Sequence, residues 1–390
     1  MKAEGSTPFS DIASATRRVA AEVLATEADS VDREAAWPQA GMRALQRAGL
    51  AGLVVPTESG GHGLGLEALA IVCEELGQVC SSTAICFGMH SVGAAVIASK
   101  ATDDQKHRYL EPIARGEHLT TLALSEPGTG AHFYLPQAKL SKQSADTYFV
   151  DGTKSFVTNG GHADSYVIST GAAHEDAPPG QFSCFVMPRD ARGLSWEGKW
   201  DGWGMRGNSA IRAKLTHLEV PVRDLLGTEG DETWYVFNVV TPFFLVAMAG
   251  TYVGIAAAAL DEARQHLLGR VHAHSGLELA RNPILQHRFG QLWAQVERTR
   301  CLVREASRKG DAGLEDALPA LCSAKAEVAD CADRVTAECM TIMGGLGYAE
   351  GSRIHRLYRD ARAAHVMSPT TDLLRTWTGR ALLGLPLLGG

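Results

Sequence analysis

The apolar residues of this chain change their spacing twice, and that change restricts the fold more than any single motif does. Up to about residue 118 they recur every three or four positions, as in amphipathic helices separated by short turns. From about 119 to 227, short β-branched and aromatic segments alternate with turn residues. Helical spacing then returns. The pattern predicts an α+β protein with an N-terminal helical domain (1–118), a middle antiparallel β-domain (119–228) and a C-terminal helical bundle (229–390).

The same pattern gives approximate bounds for the elements. Helices are expected at 13–26, 38–48, 66–79, 83–98, 102–115, 241–270, 283–308, 318–343 and 370–383, and strands at 148–150, 155–158, 165–169 and 183–187. Asp151-Gly152, Asn159-Gly160-Gly161 and Pro178-Pro179-Gly180 are expected to be the turns of an antiparallel sheet. The glycine-rich segment 59–65 precedes a helix but follows no strand, so it predicts a turn rather than a nucleotide-binding loop.

Composition excludes several classes of protein. The 390 residues carry a formal net charge of −7, which argues against a general nucleic-acid-binding protein. The N-terminus has no apolar core of a secretory signal, and no apolar run approaches the roughly 18 residues of a membrane span. The densest run, 243–260, predicts a buried helix. The eight cysteines form no CxxC pair, so we expect a cytoplasmic protein with reduced thiols and no metal site.

Two segments of the middle domain are suited to holding a flat ring system. Leu122-Ala-Leu-Ser-Glu-Pro-Gly-Thr-Gly130 has glycines that let the backbone approach closely, and Ser125 can donate a hydrogen bond, although by itself the segment could be a hairpin turn. Asp151-Gly-Thr-Lys-Ser-Phe-Val-Thr-Asn-Gly-Gly161 is an alternating strand in which Phe156 lies either beside such a ring or in the core. Trp203-Gly-Met-Arg-Gly-Asn-Ser209 is either part of the same site or a turn of the β-domain.

The C-terminal bundle ends in Met343-Gly-Gly-Leu-Gly-Tyr348, Arg356-Leu-Tyr-Arg-Asp360 and His365-Val-Met-Ser-Pro-Thr-Thr-Asp-Leu-Leu-Arg375. With the segments of the middle domain in the same order, these residues resemble the signatures of the acyl-CoA dehydrogenase family over essentially the whole chain. The resemblance implies an FAD-dependent oxidoreductase that acts on an acyl thioester of coenzyme A or of a carrier protein. It also implies a homodimer or homotetramer with cofactor sites shared between subunits.

The resemblance further implies which residues contact ligands. FAD contacts are implied at Leu122, Leu124, Ser125, Gly130, Phe156, Thr158, Arg270, Gln286, Gly344, Gly345, Thr370 and Asp372. Arg270 would reach the cofactor pyrophosphate of a neighbouring subunit, because a guanidinium binds phosphate oxygens bidentately. Substrate contacts are implied at Met89, Ala131 and Phe244.

The resemblance fails at the residue that would be the catalytic base. Family members usually have Glu-Gly-Thr where this chain has Ser368-Pro369-Thr370, and that glutamate removes the α-proton of the substrate. A serine hydroxyl is far too weakly basic to replace it unaided. The second glutamate position of the family falls on Phe244, so His90 and His132 become the proposed proton acceptors because histidine titrates near neutrality. His365 and Asp372 are further alternatives.

Three functions therefore remain open. The first is a dehydrogenase acting on an unusual, biosynthetic acyl thioester, with electrons passing to an electron-transfer flavoprotein or to oxygen. The second is a flavin-dependent monooxygenase on the same fold, which needs no base for an α-proton. The third is a non-catalytic flavin-binding subunit. The intact Ser125–Gly130 turn favours the first.

Overall fold

The computed structural model describes residues 8–173, 181–230 and 233–388, and its elements follow the predicted order. The N-terminal helices are α1 (Pro8–Val19), α2 (Ala25–Glu34), α3 (Gln39–Arg47), α4 (Leu66–Gly77), α5 (Ser81–Lys100), α6 (Asp103–Gln105) and α7 (Glu111–Ala114). One turn of π-helix, Ala20–Leu24, joins α1 to α2. The 59–65 segment is a turn, as predicted. The Asp311 carboxylate accepts hydrogen bonds from the Leu66 and Glu67 amides directly after it, which ties α4 to the C-terminal helices.

Two four-stranded sheets form the middle of the chain. The strands are β1 (Thr120–Ala123), β2 (Lys139–Lys142), β3 (Thr147–Val157), β4 (Ser165–Thr170), β5 (Ser183–Pro188), β6 (Leu194–Glu197), β7 (Ile211–Pro221) and β8 (Leu225–Leu226). One sheet has the order β1-β4-β5-β8 and the other β2-β3-β7-β6. Tyr148, Tyr166, Phe185 and Leu218 belong to the apolar cluster between them.

Two sequence expectations for this region were wrong. The sheets are not wholly antiparallel, because β1 pairs with β4 in parallel. The intervening β2 and β3 lie in the other sheet, so the chain returns to β4 by a long crossover rather than a hairpin. Asp151-Gly152 is also not a turn, since β3 runs through it with a shift of register between Val150 and Gly152. The expected turn at 178–180 lies outside the described residues.

The C-terminal helices are α8 (Thr233–Tyr235), α9 (Thr241–Gly269), α10 (Pro283–Asp311), α11 (Ala317–Met343), α12 (Gly345–Tyr348), α13 (Arg353–Val366) and α14 (Thr371–Leu382). By length and composition, α5 and the helical segment 233–269 are apolar enough to cross a membrane, contrary to the sequence expectation. Their apolar windows are 94% and 83% buried, so both are core helices. All eight cysteines are free, and Cys301 alone is exposed.

Close contact between α4 and α9 joins the N-terminal helices to the C-terminal bundle. A Cβ atom at Gly254 would lie 2.3 Å from the Glu74 carbonyl oxygen, and one at Gly77 would lie 2.5 Å from the Thr251 carbonyl oxygen. Only glycine permits this approach, because a larger side chain would collide with backbone that cannot move independently. The two helices therefore pack backbone against backbone at this crossing.

A buried lysine holds the segment that follows α13. Lys325 of α11 is fully buried, and its ammonium donates to the carbonyl oxygens of Ala364 (2.7 Å), Met367 (3.3 Å) and Pro369 (3.0 Å). Carbonyls at a helix C-terminus have no partner within the helix and carry partial negative charge, which a cation compensates. Burial lowers the pKa of Lys325 to about 8. The Lys325 ammonium thus supplies hydrogen bonds to three carbonyl oxygens that would otherwise be buried without a donor.

We expect Lys325→Met to destabilise the protein, because it keeps the apolar stem but leaves three carbonyl oxygens without donors. The free energy of unfolding should fall by about 2–4 kcal/mol, measured by urea denaturation. Lys199→Met, at an exposed position, is the matched control and should change it by less than about 0.5 kcal/mol. Equal denaturation midpoints for Lys325→Met and the wild type would contradict this role.

Candidate active site

A cavity of about 580 Å³ lies between the β-domain and the helices. Three groups of residues line most of it: the β1 end and its turn (Leu122–Glu126), the β3 end (Ser155, Phe156, Thr158), and the segment between α13 and α14 (Val366–Thr370). Met89 of α5 and Phe244 of α9 complete the apolar wall. The cavity thus takes residues from all three parts of the chain.

Phe156 has an unusual backbone and an unusual exposure. Its φ is +59°, in the left-handed region that costs a bulky residue about 1–3 kcal/mol. It lies within a register shift between β3 and β7, and its side chain is 67% exposed at the cavity. Trp200 packs edge-on against the ring, with 6.3 Å between centroids. A strained, exposed aromatic residue in a cavity wall indicates a surface for a ligand rather than a core position.

Three hydroxyl oxygens at the cavity are buried without a hydrogen-bond partner. They are Oγ of Ser155, Oγ1 of Thr241 and Oγ of Ser368. A buried polar atom left unpaired costs about 1–3 kcal/mol, so such atoms are uncommon in folded proteins. Their concentration in one cavity indicates that a bound molecule supplies their partners.

Among the described residues that line the cavity, Glu126 is the one titratable side chain. Its carboxylate oxygens already have hydrogen-bond partners within the protein. Its carboxylate lies 2.5 Å from Nζ of Lys154 and accepts hydrogen bonds from the backbone amides of Gln137 and Ala138. Burial lowers the pKa of the Lys154 ammonium, and the Glu126 charge opposes that shift. This carboxylate is thus held by an ion pair and two backbone amides, and freeing it to act as a base would break an ion pair inside the protein.

The structure does not place His90 at the cavity, which corrects its proposal as the proton acceptor. The residue is fully buried on α5. Nε2 lies 3.0 Å from the Ala51 carbonyl oxygen, and Nδ1 accepts from the Thr120 amide at 3.1 Å. Nδ1 also lies 3.3 Å from the Thr120 carbonyl oxygen. A neutral ring with its proton on Nε2 donates to Ala51 and accepts from the Thr120 amide, which fits the two shorter contacts. Burial lowers the pKa of His90 to about 4, so the ring bridges α5 and β1 as an uncharged group.

Two other proposed histidines, His132 and His365, are also outside the cavity lining. His132 is exposed, and its Nδ1 lies 2.7 Å from the Tyr134 hydroxyl. Its neighbours Ala131 and Phe133 line the cavity instead. Nδ1 of His365 lies 3.1 Å from Oγ1 of Thr371. The sequence pointed to these histidines by residue type alone and did not indicate Glu126. The ion pair of Glu126 with Lys154 joins the Leu122–Gly130 and Asp151–Gly161 segments.

The residues expected to contact ligands divide into two sets. The cavity contains the following: Met89, Leu122, Leu124, Ser125, Gly130, Ala131, Phe156, Thr158, Phe244, Ser368 and Thr370. Five others lie away from it: Arg270, Gln286, Gly344, Gly345 and Asp372. Arg270 is exposed at the end of α9, and the Gln286 amide donates to the Ala280 carbonyl oxygen. Asn208 of the Trp203–Ser209 segment also lines the cavity, and so does Thr241, which was not among the expected contacts.

The cavity wall fits the ring system of FAD. Phe156 presents an aromatic surface, Ser155 offers an unpaired hydroxyl, and the Ser125–Gly130 turn presents backbone without large side chains. A flavin needs a flat wall and hydrogen bonds at its polar edge, and these residues supply both.

Comparison with known proteins agrees with this fit. The family models for acyl-CoA dehydrogenases match residues 9–117 (N-terminal domain), 121–217 (middle domain) and 242–383 (C-terminal domain). Cyclohex-1-ene-1-carbonyl-CoA dehydrogenase of Geobacter metallireducens is 32% identical over 94% of this chain and 96% of its own. The solved butyryl-CoA dehydrogenase of Megasphaera elsdenii is 26% identical with a TM-score of 0.90, covering 98% of this chain and 100% of that one. An FAD complex of PigA shares the fold at 20% identity, with a TM-score of 0.87 over 99% of this chain and 100% of that one.

The fold and the cavity therefore define an FAD-dependent oxidoreductase of the type that acts on CH–CH bonds. The chain belongs to the acyl-CoA dehydrogenase family, with all three domains present.

The buried, neutral His90 predicts a pH dependence of stability. Its pKa is lower in the folded protein than in the unfolded chain, so the unfolded chain binds more protons between about pH 6.5 and pH 4. Stability should therefore fall as the pH falls through this range. We expect the wild type to lose about 2–3 kcal/mol more than His90→Gln does, measured by urea denaturation at both pH values.

His287→Gln, at an exposed position, is the control for the removal of a surface histidine. His90→Gln should also retain turnover within a few-fold. A loss of about 10²-fold with FAD still bound would instead restore His90 as a proton acceptor.

Proposed function

We propose that the protein oxidises an acyl thioester, carried by coenzyme A or by a carrier protein, with FAD as the electron acceptor in the site. The observation that carries the proposal is that Ser125, Phe156, Thr158 and the 366–370 segment meet in one cavity, which Met89 and Phe244 also line. The first three are suited to a ring system, and the apolar Met89 and Phe244 are suited to an acyl chain.

In this proposal, different residues bind FAD and the acyl group. Leu122, Leu124, Ser125, Phe156 and Thr158 would hold FAD, and the bound FAD would supply a hydride acceptor. Met89 and Phe244 pack against the acyl group and exclude water from the reacting carbon. Arg270, Gln286, Gly344 and Gly345 contact the cofactor of a neighbouring subunit.

The base is non-standard in this proposal. Ser368 stands at the family's usual position for the glutamate, and Glu126 is held by Lys154 and two backbone amides. That observation also favours the second function, a flavin-dependent monooxygenase, because such a reaction needs no acceptor for an α-proton. We place both in the cytoplasm and in biosynthesis, with an electron-transfer flavoprotein or oxygen as the acceptor.

Anaerobic mixing of the FAD-bound protein with thioesters tests the proposal and separates the two functions. Acyl-coenzyme A and acyl-pantetheine esters should bleach the flavin absorption without any added reductant if the protein oxidises its substrate. Bleaching only with an added reductant, followed by oxygen consumption that depends on the thioester, would favour the monooxygenase. A flavin spectrum unchanged by every thioester would contradict the proposal.

The missing base can be tested at Ser368. We expect Ser368→Glu to place a carboxylate at the cavity and to raise the anaerobic reduction rate with butyryl-CoA by about 10²-fold. Ser368→Gln has nearly the same size without the charge, so it should not gain this rate. Equal rates for the two variants would show that a carboxylate at residue 368 does not act as a base.

The shared cofactor site can be tested at Arg270. We expect Arg270→Ala to weaken FAD binding by about 1.5–3 kcal/mol, measured by release of flavin fluorescence on dilution. Arg264→Ala removes an exposed arginine of the same helix and is the matched control. Val271, Ile284 and Trp293 are exposed apolar residues on the adjoining surface, which supports a homodimer or homotetramer. A monomer that retains FAD in light scattering would refute the shared site.

A further inference from the structure

Two unpaired hydroxyls line the cavity on segments that also supply apolar lining residues. Thr241 is 1% exposed in the first turn of α9, one helical turn before Phe244, and its Oγ1 has no hydrogen-bond partner. Oγ of Ser368 lies in the opposite segment of chain, between α13 and α14, and is also buried and unpaired. Both residues line the same cavity. Neither hydroxyl serves the fold through any hydrogen bond within the described residues.

Apolar residues precede or follow both hydroxyls in the chain. Met89, Val240, Phe244, Val366 and Met367 line the same cavity, and none of them pairs with either hydroxyl. A valine at 241 would fill the same volume without an unpaired polar atom. The hydroxyls therefore lower stability unless a bound molecule pairs with them.

The charged residues of the cavity restrict the charge that a bound acyl group can carry. Among the described lining residues there is no lysine, arginine or histidine, and the one carboxylate, Glu126, is paired with Lys154. A carboxylate or an ammonium on the acyl group would enter this space without a counter-ion, which is costly. An uncharged group that both donates and accepts hydrogen bonds suits two hydroxyls, because each hydroxyl also does both.

We infer that the substrate is a neutral acyl thioester with a hydroxyl group close to the thioester, and that Thr241 and Ser368 bind this hydroxyl. The inference rests on the proposed function and adds the class of acyl group to it. Ser155 is not part of this pair, because it precedes Phe156 on β3 and its amide donates to the Ser125 carbonyl oxygen at the cofactor wall. Thr241 and Ser368 thus determine specificity through hydrogen bonds that a plain alkyl chain cannot form.

The test compares matched pantetheine thioesters with the FAD-bound protein. The four esters are butyryl, 2-hydroxybutyryl, 3-hydroxybutyryl and succinyl, and dissociation constants come from the anaerobic change in flavin absorption. We expect one hydroxybutyryl ester to bind about 3- to 10-fold more tightly than butyryl, as a net gain from hydrogen bonds of ordinary strength. Succinyl should bind most weakly because its carboxylate has no partner in the cavity.

Variants assign the preference to the two hydroxyls. Thr241→Val and Ser368→Ala should each reduce the ratio of butyryl to hydroxybutyryl dissociation constants towards one. Thr251→Val is the matched control, because its buried hydroxyl is on the same helix but already donates to the Ala247 carbonyl oxygen. Thr241→Val without ligand should melt no lower than the wild type, since it removes an unpaired hydroxyl.

The outcomes separate this inference from the function on which it rests. Equal affinity of the wild type for butyryl and both hydroxybutyryl esters would overturn the inference and leave thioester oxidation standing. A preference that persists in both Thr241→Val and Ser368→Ala would overturn the assignment to these residues. Binding of no thioester at all would overturn the proposed function and, with it, the inference.

Discussion

The backbone contact between α4 and α9 is the constraint on which the rest of the structure depends. Gly77 and Gly254 allow the two helices to approach until carbonyl oxygens fill the space where side chains would stand. Because α9 is thereby fixed against the N-terminal helices, its first turn is fixed as well. Thr241 and Phe244 of this helix thereby line the cavity together with residues of the β-domain.

The spacing of apolar residues predicted those features of the fold that depend on neighbouring residues alone. The two changes of period identified three zones, and the Ser125–Gly130 turn and Phe156 were selected because their residue types suit a flat ligand. The expected turn at Asp151-Gly152 failed because pairing of β3 with β7 overrides a local turn preference. The parallel pairing of β1 with β4 depends on two intervening strands joining a different sheet, and no short window of sequence contains that information.

The candidate site was predicted in part, and the failures share one cause. His90 was chosen because imidazole titrates near neutrality, yet its surroundings bury it and occupy both ring nitrogens. Glu126 was overlooked as a titratable group because its partner, Lys154, lies 28 residues away. Burial and partnership decide what an ionisable group does, and both arise from tertiary packing that residue type does not specify.

Lys154, Ser155 and Phe156 are consecutive, and this arrangement links two properties of the cavity. The lysine neutralises Glu126 from one face of β3, while the aromatic ring two positions later forms the exposed wall. A change in the twist or register of β3 therefore alters both the net charge at the cavity and the position of the Phe156 ring in its wall. If β3 shifted far enough to free the Glu126 carboxylate from Lys154, Phe156 would move as well. The aromatic surface for the cofactor would then change its shape.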